Sequence, residues 1–130
     1  MDRQSIISLS ILGLVMVGIL SYQIYTTFSS GTGNLEAGKH VSNELVCMVN
    51  DTYMGVAQIP VEVEGKTYYG CCKMCKAKLT DSVHYRWARD PLTGEEVDKS
   101  KAYIVLQSSH DIAIHYFKSE ENYKAYANSK

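Results

Sequence analysis

Tyr68-Tyr69-Gly70-Cys71-Cys72-Lys73-Met74-Cys75 sets three of the chain's four cysteines within five residues, and its reading decides the fold. Just upstream, residues 61–69 (Val-Glu-Val-Glu-Gly-Lys-Thr-Tyr-Tyr) alternate in polarity and turn at Glu64-Gly65-Lys66, which predicts a β-hairpin. Just downstream, residues 73–79 predict a short helix. The cysteines therefore sit where a strand hands over to a helix N-terminus. Unpaired amides and the positive end of the helix dipole favour anions there, so thiols ionise more readily. Lys73, Lys76 and Lys78 add positive charge nearby. Cys71 and Cys75 are four apart and Cys72 and Cys75 three apart, so either pair shares a helical face. Cys47 lies 24 residues before Cys71 and closes the site if the hairpin folds back on it. Three thiolates suit Cu(I) in trigonal geometry, or Zn(II) with a fourth ligand, and an all-sulfur set leans toward soft ions.

The order Cys47, Gly65-Lys66-Thr67-Tyr68-Tyr69, Cys71, three residues and Cys75 resembles the TRASH and YHS domains. These are small treble-clef-like metal modules of sensors, transporters and resistance proteins. The likeness covers residues 46–79. It implies that Cys47, Cys71 and Cys75 are metal ligands, with Cys72 auxiliary. The gap after Cys47 is slightly longer than the family's, and Cys72 is an extra cysteine.

A second copy follows. Asp90-Pro91-Leu92-Thr93-Gly94-Glu95-Glu96-Val97 is similar to the opening of a YHS module, although Asp90-Pro91 with Thr93-Gly94 reads locally as a turn. Strands are expected over 101–106 and 112–117, then a helix capped by Ser119 with acids in its first turn. Set beside residues 68–75, His115-Tyr116-Phe117-Lys118-Ser119-Glu120-Glu121-Asn122 puts Lys118 at the Cys71 position and Asn122 at the Cys75 position. The shape is kept and the thiols are lost. The late strand and helix also resemble, over a shorter stretch, the NosL-type copper-delivery proteins, which tilts the metal toward copper.

Toward the N-terminus, residues 4–35 carry no charge, and residues 6–24 are mostly Ile, Leu, Val, Met and Gly. The 21 residues 5–25 span roughly 30 Å as a helix, matching a bilayer core. Tyr22, Tyr25 and Phe28 stand at the edge where amphipathic rings favour the interface. A cleaved leader would have a shorter apolar core and a small-x-small site, for which 29–31 is the best candidate. The flank after the apolar run is poor in basic residues, which favours placing the C-terminal domain on the outer side, periplasmic or extracellular. The expected fold is thus α+β, with an N-terminal single transmembrane helix followed by two pseudo-repeated strand-strand-helix units. Its divisions are an anchor over 1–28, a flexible linker over 29–43, a cysteine-containing metal-binding unit over 44–88 and a degenerate cysteine-free unit over 89–128.

Other features narrow the function. A net charge of −1 and no basic stripe leave nucleic acid without a footprint. Glu95-Glu96 and Glu120-Glu121 are adjacent pairs on solvated faces, and no nucleophile-base pair or phosphate loop marks an enzyme. His84 or His115 is available to complete a Cys3His site. His40 and His110 are weaker candidates, and Met48, Met54 and Met74 read as packing. Ten tyrosines suit strands and amphipathic packing. The reading is a membrane-anchored protein that binds copper or zinc for capture, delivery or sequestration. Its expected partners are the metal ion, the membrane and a metal transporter or metalloenzyme. Two alternatives stay open: an interaction module stapled by structural zinc or disulfides, and a thiol redox protein using Cys72-Lys73-Met74-Cys75.

Overall fold

The computed structural model describes residues 3–29 and 35–130, in two compact units, Met1–Asn34 and Leu35–Lys130. The first unit is helix α1, Arg3–Ser29. Among the described residues no helix is long and apolar enough to cross a membrane. The expected single-pass anchor, and with it an outer-side location for the rest of the chain, is corrected accordingly. Side chains of α1 are described over 11–24. The side chains of residues 5–10, 25 and 28 lie outside the described set, as do tether residues 30–34 altogether.

The second unit is α+β and is built from four antiparallel strand pairs. Strand β1 (Val46–Cys47) pairs with β2 (Thr52–Tyr53), and β3 (Ile59–Val63) pairs with β4 (Lys66–Gly70) before helix α2 (Lys73–Asp81). The same succession then recurs. Strand β5 (Trp87–Arg89) pairs with β6 (Glu96–Asp98), and β7 (Tyr103–Leu106) pairs with β8 (Ile114–Phe117) before helix α3 (Glu120–Asn128). Each half is therefore a short hairpin, a longer hairpin and a helix, one strand pair more than the expected strand-strand-helix unit. The extra pairs escape periodicity because strands of two or three residues have no alternation to read.

Local chemistry sets these elements. The β3–β4 turn has Glu64 at φ 53° and Gly65 at φ 74°, a two-residue turn with both centres left-handed, the twist that suits a hairpin. Helices α2 and α3 start alike: caps Cys72 and Ser119 share φ −155°, with ψ 173° and 168°. The Ser119 hydroxyl accepts from the Asn122 amide at 3.2 Å.

One core serves both halves, with Val46, Met48, Val61, Tyr68 and Leu79 from the first and Val97, Ile104, Leu106, Ile114 and Tyr116 from the second. Two of the ten tyrosines owe their places to it: their rings are buried while their hydroxyls find carboxylates, Tyr68 on Asp98 at 3.0 Å and Tyr116 on Asp51 at 2.9 Å. Within the stretch read as linker, residues 38–41 lie along β7. Gly38 N donates to Leu106 O (2.8 Å), Leu106 N to Lys39 O (2.9 Å) and Val41 N to Ile104 O (3.0 Å).

Candidate metal centre

Cys47 ends β1, just before the tight loop 48–51 that returns the chain to β2. Cys71 follows the last residue of β4, Cys72 caps α2, and Cys75 lies in the first turn of that helix. Packing brings three of them together. The Cys47 Sγ lies 3.8 Å from the Cys75 Sγ, the Cys71 Sγ lies 3.5 Å from the Cys75 Sγ, and all three sulfurs fall within 4.8 Å of one another. A metal–sulfur bond of about 2.3 Å at tetrahedral angles separates its sulfurs by about 3.8 Å. The three thiols are therefore placed to hold a metal ion with little movement.

Gly70 makes the approach possible. A Cβ there would stand 2.9 Å from the Cys75 Cβ and 3.3 Å from its carbonyl carbon, so a side chain would push α2 away from β4. The Tyr-Tyr-Gly-Cys sequence thus ends a strand against the helix that carries the next ligand.

The thiols differ in acidity. Burial raises the Cys75 thiol to about 12, helped by hydrogen bonds with Cys71, Cys72 and Cys47. Burial also raises Cys47, but the backbone amides of Asn50, Cys71 and Val49 point at its sulfur and bring it below the usual thiol value. Cys71 sits above that value: its bond with Cys75 lowers it, and Cys47 with desolvation outweighs this. The exposed Cys72 is lowered, first by the Cys75 backbone amide, as expected at a helix N-terminus. Cys47 is therefore more acidic and Cys75 less acidic than an ordinary thiol, and a bound cation would favour the thiolate form.

Cys72 stays outside the three-sulfur group, on the exposed rim. Asn50 stands beside the opening, its Nδ2 donating to the Cys71 Sγ at 3.9 Å. Among the described residues this is the one place where three or more Cys, His, Asp or Glu ligand atoms converge, and no histidine belongs to it. His84 sits in the 3-10 turn Val83–Arg86, edge-on to Tyr85. His115, on β8, meets Phe117 and Tyr126 edge-on, and burial lowers its pKa. His110 is bonded to Ser109, and His40 stacks on Tyr103 while bonded to the Ile104 carbonyl. Met48 is fully buried in the core, whereas Met54 and Met74 are exposed.

The second half holds a counterpart that sequence reading half found. Asp90 follows β5 as Cys47 closes β1. Cys47 pairs across its loop with Thr52, and Asp90 N donates to Glu95 O at 2.9 Å, five residues on in both cases. The Asp90 Oδ2 accepts from Lys118 N (2.8 Å) and Asn122 Nδ2 (2.7 Å), the residues at the Cys71 and Cys75 positions. Its Oδ1 accepts from the Leu92 amide at 2.8 Å and the Thr93 amide at 3.4 Å. A buried carboxylate bonded to strand end and helix thus occupies the place that three thiols occupy in the first half. Proximity of Asp90 to Asn122 has no local signal; only the alignment of the two halves points to it.

Comparison with protein-family models, curated proteins and solved structures returns no match for this chain.

Proposed function

We propose that this protein handles a thiophilic metal ion, Cu(I) or Zn(II), as cargo: it captures the ion at Cys47, Cys71 and Cys75 and passes it on or sequesters it. The observation that carries the reading is the convergence of three sulfurs within 4.8 Å on a strand-to-helix junction. The likeness of residues 46–79 to TRASH and YHS metal modules supports it from the sequence side. Cys72 gives the centre its exchange ligand. It is exposed, beside Cys71, and more acidic than an ordinary thiol, so an incoming or departing ion meets it first. Three inner sulfurs with a fourth at the rim suit ligand exchange, whereas a closed four-ligand site suits structure alone. The recipient is a protein offering soft ligands of its own, such as a metal transporter or metalloenzyme.

The 3.5 Å between the Cys71 and Cys75 sulfurs also favours a second reading, a disulfide formed under oxidation. One experiment separates the two. The full chain is purified reduced, loaded with Zn(II) or Cu(I), desalted, and assayed for metal and free thiols. About one ion per chain, lost in Cys71→Ser and in Cys75→Ser and only weakened in Cys72→Ser, supports metal handling. No bound metal, with thiols that pair reversibly on mild oxidation, overturns it in favour of the disulfide. Equal loss in all three variants makes Cys72 a full ligand.

A further inference from the structure

The half without thiols is joined to the metal centre by two consecutive residues, Asp98 and Lys99, at the end of β6. Asp98 grips the strand that delivers Cys71. Its Oδ2 meets Lys66 Nζ at 2.7 Å and its Oδ1 accepts from Tyr68 OH at 3.0 Å, both donors lying on β4. The Ser100 amide and hydroxyl complete that carboxylate at 3.0 and 2.7 Å. Lys99 grips the loop that carries Cys47. Its ammonium donates to the carbonyl of Met48, the residue after Cys47, at 2.7 Å and to Asp51 Oδ1 at 2.5 Å. Tyr116 donates to the same Asp51 oxygen from β8, and the ammonium lies 5.0 Å from its ring centre. Asn43 holds the other side of the turn, its Nδ2 donating to the carbonyls of Lys99 at 3.3 Å and Ser100 at 3.2 Å.

A lysine side chain only 4% exposed is a costly thing to bury, and surface packing does not require it. Its position gives a reason for it. The loop 48–51 has Asp51 at φ 52°, a left-handed conformation uncommon outside glycine but open to Asp. Lys99 and Tyr116 hold its carboxylate there, and so fix where the loop amides and the Cys47 sulfur stand. The ammonium is already paired with the half-exposed Asp51 carboxylate, so it acts on the Cys47 loop by position and not by net charge.

We infer that Lys99, seated on the Met48 carbonyl and on Asp51 with Tyr116, is a positioning residue of the metal centre: the thiol-free half sets the geometry of the thiol half. The inference rests on the metal-handling reading, and its test tells the two apart. Zn(II) affinity of the full reduced chain is measured by chelator competition in wild type, Lys99→Met, Lys99→Arg and Tyr116→Phe, at a temperature where circular dichroism shows each metal-free chain folded. Co(II) is used in parallel for its sulfur-to-metal charge-transfer band. Lys99→Met keeps the length of the side chain and loses the charge. It is expected to weaken Zn(II) binding tenfold or more and to shift the Co(II) band, and Lys99→Arg to recover part of both. Tyr116→Phe removes a single hydroxyl and guards against a misfolded Lys99→Met; it is expected to weaken binding about threefold, a fraction of one hydrogen bond. Folded Lys99→Met or Tyr116→Phe chains that bind Zn(II) within about a factor of 1.5 of wild type, about 0.2 kcal/mol, with an unshifted Co(II) band, would overturn the inference and leave Lys99 a brace of the fold. A wild-type chain that binds neither ion refutes the metal-handling reading instead.

Discussion

Asp90→Ala puts the pseudo-centre of the second half to a quantitative test. The Asp90 side chain is 1% exposed and accepts four hydrogen bonds. Two of them, from Lys118 N and Asn122 Nδ2, tie the β5–β6 loop to the start of α3. Bonds to a charged acceptor contribute about 1.5–3 kcal/mol each, and truncation leaves both donors facing a gap. At the lower figure these two are worth about 3 kcal/mol, and the two loop amides, on exposed residues Leu92 and Thr93, add about 1 kcal/mol together. Asp90→Ala should therefore cost about 4 kcal/mol, a large part of the 5–15 kcal/mol typical of a domain. Asp90→Asn keeps one oxygen but turns an amide toward donors, and should cost roughly half as much. The assay is urea unfolding of the metal-free, reduced chain near neutral pH. Acidity adds a second check. Burial alone would raise the Asp90 carboxyl, but Asn122 and the amides of Lys118, Leu92 and Thr93 outweigh it and hold it below the usual carboxylate range. A depressed folded-state pKa means stability present above the unfolded value near 4 and lost as pH falls through the folded value. The gap between wild type and Asp90→Asn should therefore narrow in acid; Asp98 is also lowered, but it is common to both chains and cancels. A loss below about 1 kcal/mol in Asp90→Ala, the size of one ordinary neutral bond, would refute the account of the pseudo-centre.

Three further outcomes follow from the cysteine half. The metal-free fold should weaken in alkali: a Cys75 thiol raised to about 12 contributes stability that is full below the ordinary thiol range and lost as pH rises through it. Thermal unfolding from pH 7 to 11 should show that decline in wild type and a smaller one in Cys75→Ser. Gly70→Ala should force β4 and α2 apart at the 2.9 Å contact. A tenfold or greater fall in Zn(II) affinity in the chelator competition is expected, with the second half unaffected. Chelation should speed amide hydrogen exchange at 47–51 and 71–76 while leaving 90–95 and 118–122 unchanged, because the second centre is closed by hydrogen bonds instead of a metal. Equal exchange in both halves after chelation would refute that division.

The hairpin of residues 61–69, the helix after it and the thiol cluster were legible because each has a local signature: alternation, a turn, and metal-ligand spacing along one helix face. The alignment of residues 68–75 with 115–122 was legible for the same reason, and the paired caps Cys72 and Ser119 fit it. The short pairs β1–β2 and β5–β6 were not, since two or three residues carry no period. Histidine was weighed as a fourth ligand because residue type can be read and direction cannot; His84 and His115 each face aromatic rings instead. Hydropathy along 5–25 led to a membrane anchor, and no described helix meets the length and apolarity that one requires.

What no pattern could disclose is the traffic between the halves. Lys99, 52 residues after Cys47, reads in sequence as one more surface lysine, and Asp90 reads as a turn. Both acquire meaning only once the two copies pack on one core. The first half then keeps three converging thiols, while the second fills the same place with a carboxylate and sends Lys99 across to the first. Two metal centres sharing one small core would make its folding depend on two ions at once, whereas a hydrogen-bonded copy folds without any. On the proposed metal-handling function, that half braces the loop of Cys47 before metal arrives, and the thiol half can then load and unload without unfolding, with exchange on Cys72 at the rim needing only local movement.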